Sequence, residues 1–265
     1  MKILYLGDIM AEPGIQVVEK LLPDMRAKLK IDLVIAQAEN LSNGRGILIT
    51  DFERVKKVGV DFCTGGNWTL NEPEIIPYLE DENVPIIRPA NYPLGTKGKG
   101  YKYVSTKYGN VLVISILGQV VGKDANKPVD NPLKIIDQIL EEQSKFSKVA
   151  TVVNIHGDYS SEKLVFGYYL DGRVSAVIGD HWHVPTADSM ILPKGTAHIT
   201  DVGMCGTIFS SLGVRTETII KRWRDHQVLK NDIETEGPLQ FNALLFDVDI
   251  KTGLSKSVKL IQKVI

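Results

Sequence analysis

The chain is predicted to be an α/β protein, a sheet of strands covered by helices. Two observations carry that prediction. Short apolar runs alternate with amphipathic segments along most of the chain, which is the order of a helix-covered sheet. Five of the apolar runs also stop at a residue with metal-binding or catalytic chemistry, as strands do when their carboxyl ends open on a site.

Ile3–Leu6 is a brief buried run ending at Gly7-Asp8 and reads as the first strand. Val17, Leu21, Met25 and Leu29 follow at helical spacing, with Pro23 a candidate kink. Leu33–Ala38 is the next strand and stops at Glu39-Asn40. Thr50-Asp51-Phe52-Glu53 has the form of a capping box opening a short helix that closes at Gly59. Val60–Thr64 reads as a strand ending at Gly65-Gly66-Asn67, and Asn71 with Pro73 opens a further helix. Pro85–Arg88, Tyr101–Thr106 and Val111–Ile116 read as strands. Asn131-Pro132 opens a helix with Leu133, Ile136 and Leu140 on one face. Val149–Ile155 is a strand ending at His156, Ser161–Leu170 is helical, and Val174–Ile178 is a strand ending at Gly179-Asp180-His181. Near the C-terminus, Phe241–Ile250 and Ser257–Val264 flank Lys251-Thr252-Gly253 as a hairpin. No repeat or Pro/Ser-rich linker divides the chain, so residues 1–265 are expected to form one domain.

At 265 residues and 43% hydrophobic composition the chain can build a sizeable core, which excludes disorder. Lys and Arg total 31 against 32 Asp and Glu, a net charge of -1. Such a balance gives no general attraction for a long polyanion, so a nucleic-acid coat or a polybasic membrane binder is not expected. No apolar run approaches the ~20 residues that cross a bilayer, and the N-terminal stretch lacks the form of a signal peptide. Cys63 and Cys205 have no metal or redox spacing and point to a reducing, cytoplasmic setting.

The residues at the strand ends are Asp8, Glu39, Asn67, His156 and His181. Carboxylate, amide oxygen and imidazole together suit a borderline divalent ion such as Fe, Mn, Zn, Co or Ni. His181-Trp182-His183 is the sharpest local signal, because two histidines in a loop after a strand can each turn to a metal. His198 and His226 have no partner at ligand spacing and read as ordinary polar positions. Lys97, Lys99 and Lys102 read as a solvated run, and Arg45 as a loop arginine open to water or to a substrate phosphate.

The ordered set Gly7-Asp8, Glu39-Asn40, Gly66-Asn67, His156 and Gly179-x-His181-x-His183 resembles the calcineurin-like metallophosphoesterases. Arg88-Pro89-Ala90-Asn91, Ser161-Glu162-Lys163, Leu192-Pro193-Lys194-Gly195-Thr196-Ala197 and Ile199-Thr200-Asp201-Val202-Gly203-Met204 narrow the resemblance to the bacterial 2′,3′-cyclic-nucleotide phosphodiesterases, over nearly the whole chain. It implies two packed mixed sheets flanked by helices, a four-layer αββα sandwich, and two divalent transition-metal ions, iron or manganese foremost. Asp8, Asn40 and His183 are then expected at one ion, Asn67, His156 and His181 at the other, with Glu39 bridging. The implied reaction is hydrolysis of a small phosphodiester or cyclic nucleotide by hydroxide held between the ions, in a homo-oligomer. Asp8-Ile9-Met10 lacks the superfamily's Asp-x-His, as the narrower subfamily does. Gly66-Asn67-Trp68 departs further, placing Trp68 where the family has its proton-donating histidine. An indole N–H donates a hydrogen bond but does not release its proton at neutral pH. Trp68 therefore favours one rival expectation, a weakened, regulatory protein of the same fold; a second rival is an enzyme of the same fold acting on a phosphomonoester or phosphoprotein.

Overall fold

The computed structural model describes residues 1–265, the side chain of Lys123 excepted. Two mixed sheets pack face to face and helices cover their outer faces, the four layers that the resemblance implies. In the first sheet β1 (Lys2–Leu6), β3 (Leu33–Gln37) and β4 (Phe62–Thr64) run parallel. The C-terminal hairpin completes it: β12 (Leu239–Val248) pairs antiparallel with β1, and β13 (Ser255–Val264) with β12. Two short strands, β2 (Asp8–Ile9) and β11 (Met204–Thr207), extend it beside the first strand's end. The second sheet has the order β5 (Tyr101–Thr106), β6 (Gly109–Leu117), β7 (Ala150–His156), β8 (Ala176–Asp180), β10 (Ala197–Ile199), β9 (Met190–Ile191). Its four central strands are parallel.

The strands read as unbroken apolar runs because both of their faces are buried. Ile3 and Tyr5 point between the sheets, while Leu4 and Leu6 point under α1 (Ala11–Leu29) and α2 (Ile49–Lys57). In the second sheet, Val111 and Val113 face the first sheet. Leu112, Ile114 and Ile116 face α4 (Pro132–Glu142) and α5 (Ser160–Tyr169). Each such side chain contributes about 1.5–3 kcal/mol by leaving water, so a one-residue register slip would turn every one to the wrong layer.

Several expectations need correction. Pro85–Arg88 forms only a single bridge, Cys63 to Ile86, and the Arg88 amide donates to the Lys99 carbonyl instead of continuing along β4. Thr50 lies inside α2 rather than capping it. The first amides of that helix are taken by the Ser42 hydroxyl, which accepts from Leu48 N, and by the Glu74 carboxylate, which accepts from Ile49 N. Glu72 rather than Asn71 precedes the turn that leads from Pro73 into α3 (Ile76–Glu80). Lys102 is not solvated: its ammonium is buried against the carbonyls of Tyr78, Asp81 and Val84. His198 is fully buried in β10, its Nδ1 on the Val177 carbonyl. Pro23 sits within α1, which starts upstream of Val17. β2, β9, β10, β11 and α6 (Thr216–Asp225) lie in segments for which the apolar pattern predicts no element.

Candidate metal centre

The parallel strands of both sheets end at one edge of the sandwich, and the chain turns there carry the polar residues. Asp8 follows β1, Glu39 and Asn40 follow β3, Asn67 follows β4, His156 closes β7, and His181 and His183 follow β8. Asp8, Glu39 and His156 are fully or almost fully buried, at 0%, 1% and 0% exposure. His156 Nε2 lies 3.1 Å from a Glu39 oxygen and 2.9 Å from Asn67 Oδ1. The rings of His156 and His181 are 4.5 Å apart. Donor atoms of Glu39, His156 and His181 fall within 4.8 Å of one another. On the other side, His183 Nε2 lies 3.3 Å from Asn40 Oδ1 and 3.9 Å from Asp8 Oδ1. All seven residues expected from the sequence are thus brought together.

The local backbone is shaped for this convergence. A Cβ on Gly66 would lie 2.5 Å from both a Glu39 oxygen and His156 Nε2, so only glycine lets β4 end beside them. His181 and His183 both adopt positive φ, 99° and 63°. That conformation costs a non-glycine residue on the order of 1–3 kcal/mol and persists only where surrounding contacts impose it.

Asp8 Oδ1 is buried and has no hydrogen-bond donor among the described residues. A buried, unpartnered carboxylate oxygen is costly unless a cation meets it. Burial and the neighbouring Asp180 carboxylate accordingly push the Asp8 carboxyl well above its usual range in the metal-free protein. Burial works against protonation of His156, yet Glu39 and Asp180 outweigh it and raise its pKa. Burial, with His181 nearby, lowers His183 to about 4 and keeps it neutral, the form that binds metal. Clustered oxygens, neutral imidazole and an orphaned carboxylate oxygen all fit divalent metal.

Asp180 is the main residue that strand-end reasoning passes over. It stands between Gly179 and His181, so its position was readable, but its work is visible only in three dimensions. One oxygen accepts His156 Nδ1–H at 2.7 Å. The other accepts from Tyr5 Oη at 2.9 Å, Gln37 Nε2 at 3.1 Å and Asn154 Nδ2 at 2.6 Å. With its lone pairs occupied, Asp180 orients the His156 ring and leaves Nε2 facing Glu39 and Asn67. Asp158, also unforeseen, lies 3.2 Å from His181 Nε2. Asp124 accepts from Asn67 Nδ2 at 2.7 Å.

Beside this centre lies a cleft of about 480 Å³, and all three tryptophans of the chain line it: Trp68, Trp182 and Trp223. Trp68 is half-buried and its backbone N–H donates to Glu39 at 2.7 Å. Arg45 does not point to open water: its guanidinium sits 4.6 Å from the centre of the Trp68 ring, and Lys127 Nζ sits 5.4 Å from it. Trp223, 78% exposed on α6, stands with Arg222 at the cleft mouth.

A family model described as YmdB-like protein matches residues 4–261. The chain is 38% identical to a 2′,3′-cyclic-nucleotide 2′-phosphodiesterase of Bacillus subtilis, over 98% of this chain and 95% of that protein. A Thermus thermophilus protein described as hypothetical superposes with a TM-score of 0.90 at 34% identity, covering 100% of this chain and 99% of its own. A crystal structure titled as a novel phosphatase of Mycoplasma pneumoniae superposes with a TM-score of 0.92 at 28% identity, over 100% and 93%. This chain belongs to the YmdB-like family, and it is an enzyme of the phosphoesterase class.

Proposed function

We propose that this member of the YmdB-like family is a two-metal phosphodiesterase acting on 2′,3′-cyclic nucleotides. The observation that carries the reading is the convergence of buried Asp8, Glu39, Asn67, His156 and His183 with half-buried His181, Asp8 Oδ1 being left without a donor. The named activity of the Bacillus subtilis relative supports the substrate class. Asp8, Asn40 and His183 would hold one divalent ion and Asn67, His156 and His181 the other, with Glu39 reaching both. Iron or manganese fits this oxygen and nitrogen set, as do zinc, cobalt or nickel. Two such ions supply an activated water and polarise the phosphoryl oxygens.

The chain's own groups prepare that chemistry. Asp180 accepts a hydrogen bond from His156 Nδ1–H, and the Leu212 carbonyl accepts one from His183 Nδ1–H at 3.2 Å, so each ring presents Nε2 to the centre. Arg45 and Arg222 place positive charge along the cleft for a phosphate, and Trp68 and Trp223 offer aromatic faces for a base. Trp68 gives no proton to the departing ribose oxygen. A positioned acid is worth ~10²–10⁴-fold, so turnover of a poor leaving group is slow here and that of a nitrophenolate is affected less.

The test is purified protein with Mn²⁺ on three substrates: an aryl phosphodiester, a 2′,3′-cyclic nucleotide and an aryl phosphomonoester. Hydrolysis of the two diesters, the aryl one faster, is expected. Activity on none of the three, in protein that holds metal, contradicts the reading in favour of a regulatory protein of the same fold, which Trp68 favours. Activity on the monoester alone contradicts it in favour of a phosphatase.

A further inference from the structure

Two stretches noted in the sequence, Ser161-Glu162-Lys163 and Ile199-Thr200-Asp201-Val202-Gly203-Met204, have no part in the centre as described so far. They meet behind the His181-Trp182-His183 turn. Lys163 and Asp201 are 1% and 0% exposed. Lys163 Nζ donates to Asp201 Oδ2 at 3.0 Å and to the Asp180 carbonyl at 2.6 Å. The same Asp201 oxygen accepts the Trp182 backbone N–H at 2.9 Å, and Oδ1 accepts that of Gly203 at 2.9 Å. The Lys163 ammonium also lies 4.2 Å from the centre of the Trp182 ring. The indole N–H of that ring donates to the Asp158 carbonyl at 3.0 Å. Trp182 is therefore held at its backbone, its ring face and its ring nitrogen, between two histidines of positive φ.

A buried ion pair is a weak source of stability compared with apolar residues of the same volume. This one is placed against a strained turn that bears two imidazoles. We propose that Lys163 and Asp201 are positioning residues: the pair fixes Trp182, and Trp182 fixes the turn that aims His181 and His183 at the metals. The proposal rests on the two-metal reading of the site. It goes beyond that reading by assigning metal affinity to two residues that touch no metal.

Cobalt(II) binding to the full chain tests it, because the visible spectrum of cobalt reports ligand geometry without turnover. Lys163→Met alone strands the Asp201 charge and is expected to lower the melting temperature. The double variant Lys163→Met, Asp201→Asn removes both charges and should recover most of that loss. It should still bind cobalt ~10–100-fold more weakly than wild type, with an altered visible band. A double variant with wild-type cobalt affinity and spectrum overturns the proposal while the metal reading stands. A wild type that binds no cobalt overturns both. If the double variant does not fold, Asp201→Asn alone is read by the same criteria. If neither folds, the proposal fails, since the pair then holds the fold rather than aiming the turn.

Discussion

Under the proposed function Trp68 stands where the resemblance puts a proton-donating histidine, and it defines a sharp experiment. Its half-buried ring lines the cleft beneath Arg45 and Lys127, so a melting curve for Trp68→His accompanies the rates. The new imidazole would stand where a leaving oxygen needs a proton. The ratio of cyclic-nucleotide to aryl-diester turnover should rise, by up to ~10²-fold given an imperfectly held ring. An unchanged or lower ratio in a well-folded variant counts against a missing acid. Glu39 tests the bridge. Glu39→Gln keeps the shape but removes the negative charge and replaces one of the two oxygens with an amide nitrogen that cannot bind metal, so affinity for both ions should drop by more than ~10²-fold and turnover should vanish while the fold survives. Full metal content and activity in that variant would refute the assignment. At this scale the strand-end residues were legible because a polar residue that stops an apolar run is visible in one dimension. Asp180, Lys163 and Asp201 were not, because a buried charge is recognisable only by the partners that satisfy it, and those are distant in sequence.

Among the elements, β10 carries a further prediction. His198 is buried there with Nδ1 on the Val177 carbonyl, and its Nε2 has no partner among the described residues. Burial, only partly offset by Asp188, lowers its pKa below the ordinary value. The folded chain therefore keeps this ring neutral to a lower pH than the unfolded chain, which protonates it near pH 6.5. Its contribution to stability is whole above that pH and is lost as pH falls toward the folded pKa. As pH falls from 7 toward 5 the melting temperature of the metal-free wild type should fall more than that of His198→Leu. Parallel pH profiles for the two proteins would contradict this. The long strands were legible from their apolar runs, whereas β2, β9, β10 and β11 are two to four residues long and too short to show a period. α6 escaped the pattern for another reason: it buries no residue, and its Trp223 faces the cleft instead of a core. The hairpin of β12 and β13 was readable because its turn carries Gly253 at a φ of 74°, the left-handed conformation that glycine adopts without strain.

In the molecule as a whole, the two-sheet arrangement places the carboxyl ends of β1, β3 and β4 opposite those of β7 and β8. Strand runs in the sequence predicted a helix-covered sheet, but they do not say which strands share one. The resemblance to metallophosphoesterases supplied two sheets but not their membership, because pairing β1 with β12 joins Leu4 to Leu245 across almost the full chain. The burial of Asp8, Glu39 and His156 between the converging sheets concentrates negative charge and imidazole in one place. No helix among the described residues is long and apolar enough to cross a membrane. The central claim, that this edge of the sandwich is a dinuclear metal site, is tested most directly by elemental analysis of protein purified without chelator. About two divalent transition-metal ions per chain are expected, as isolated or after exposure to Mn²⁺ or Fe²⁺. Protein that carries none, and gains none on exposure, would contradict the account.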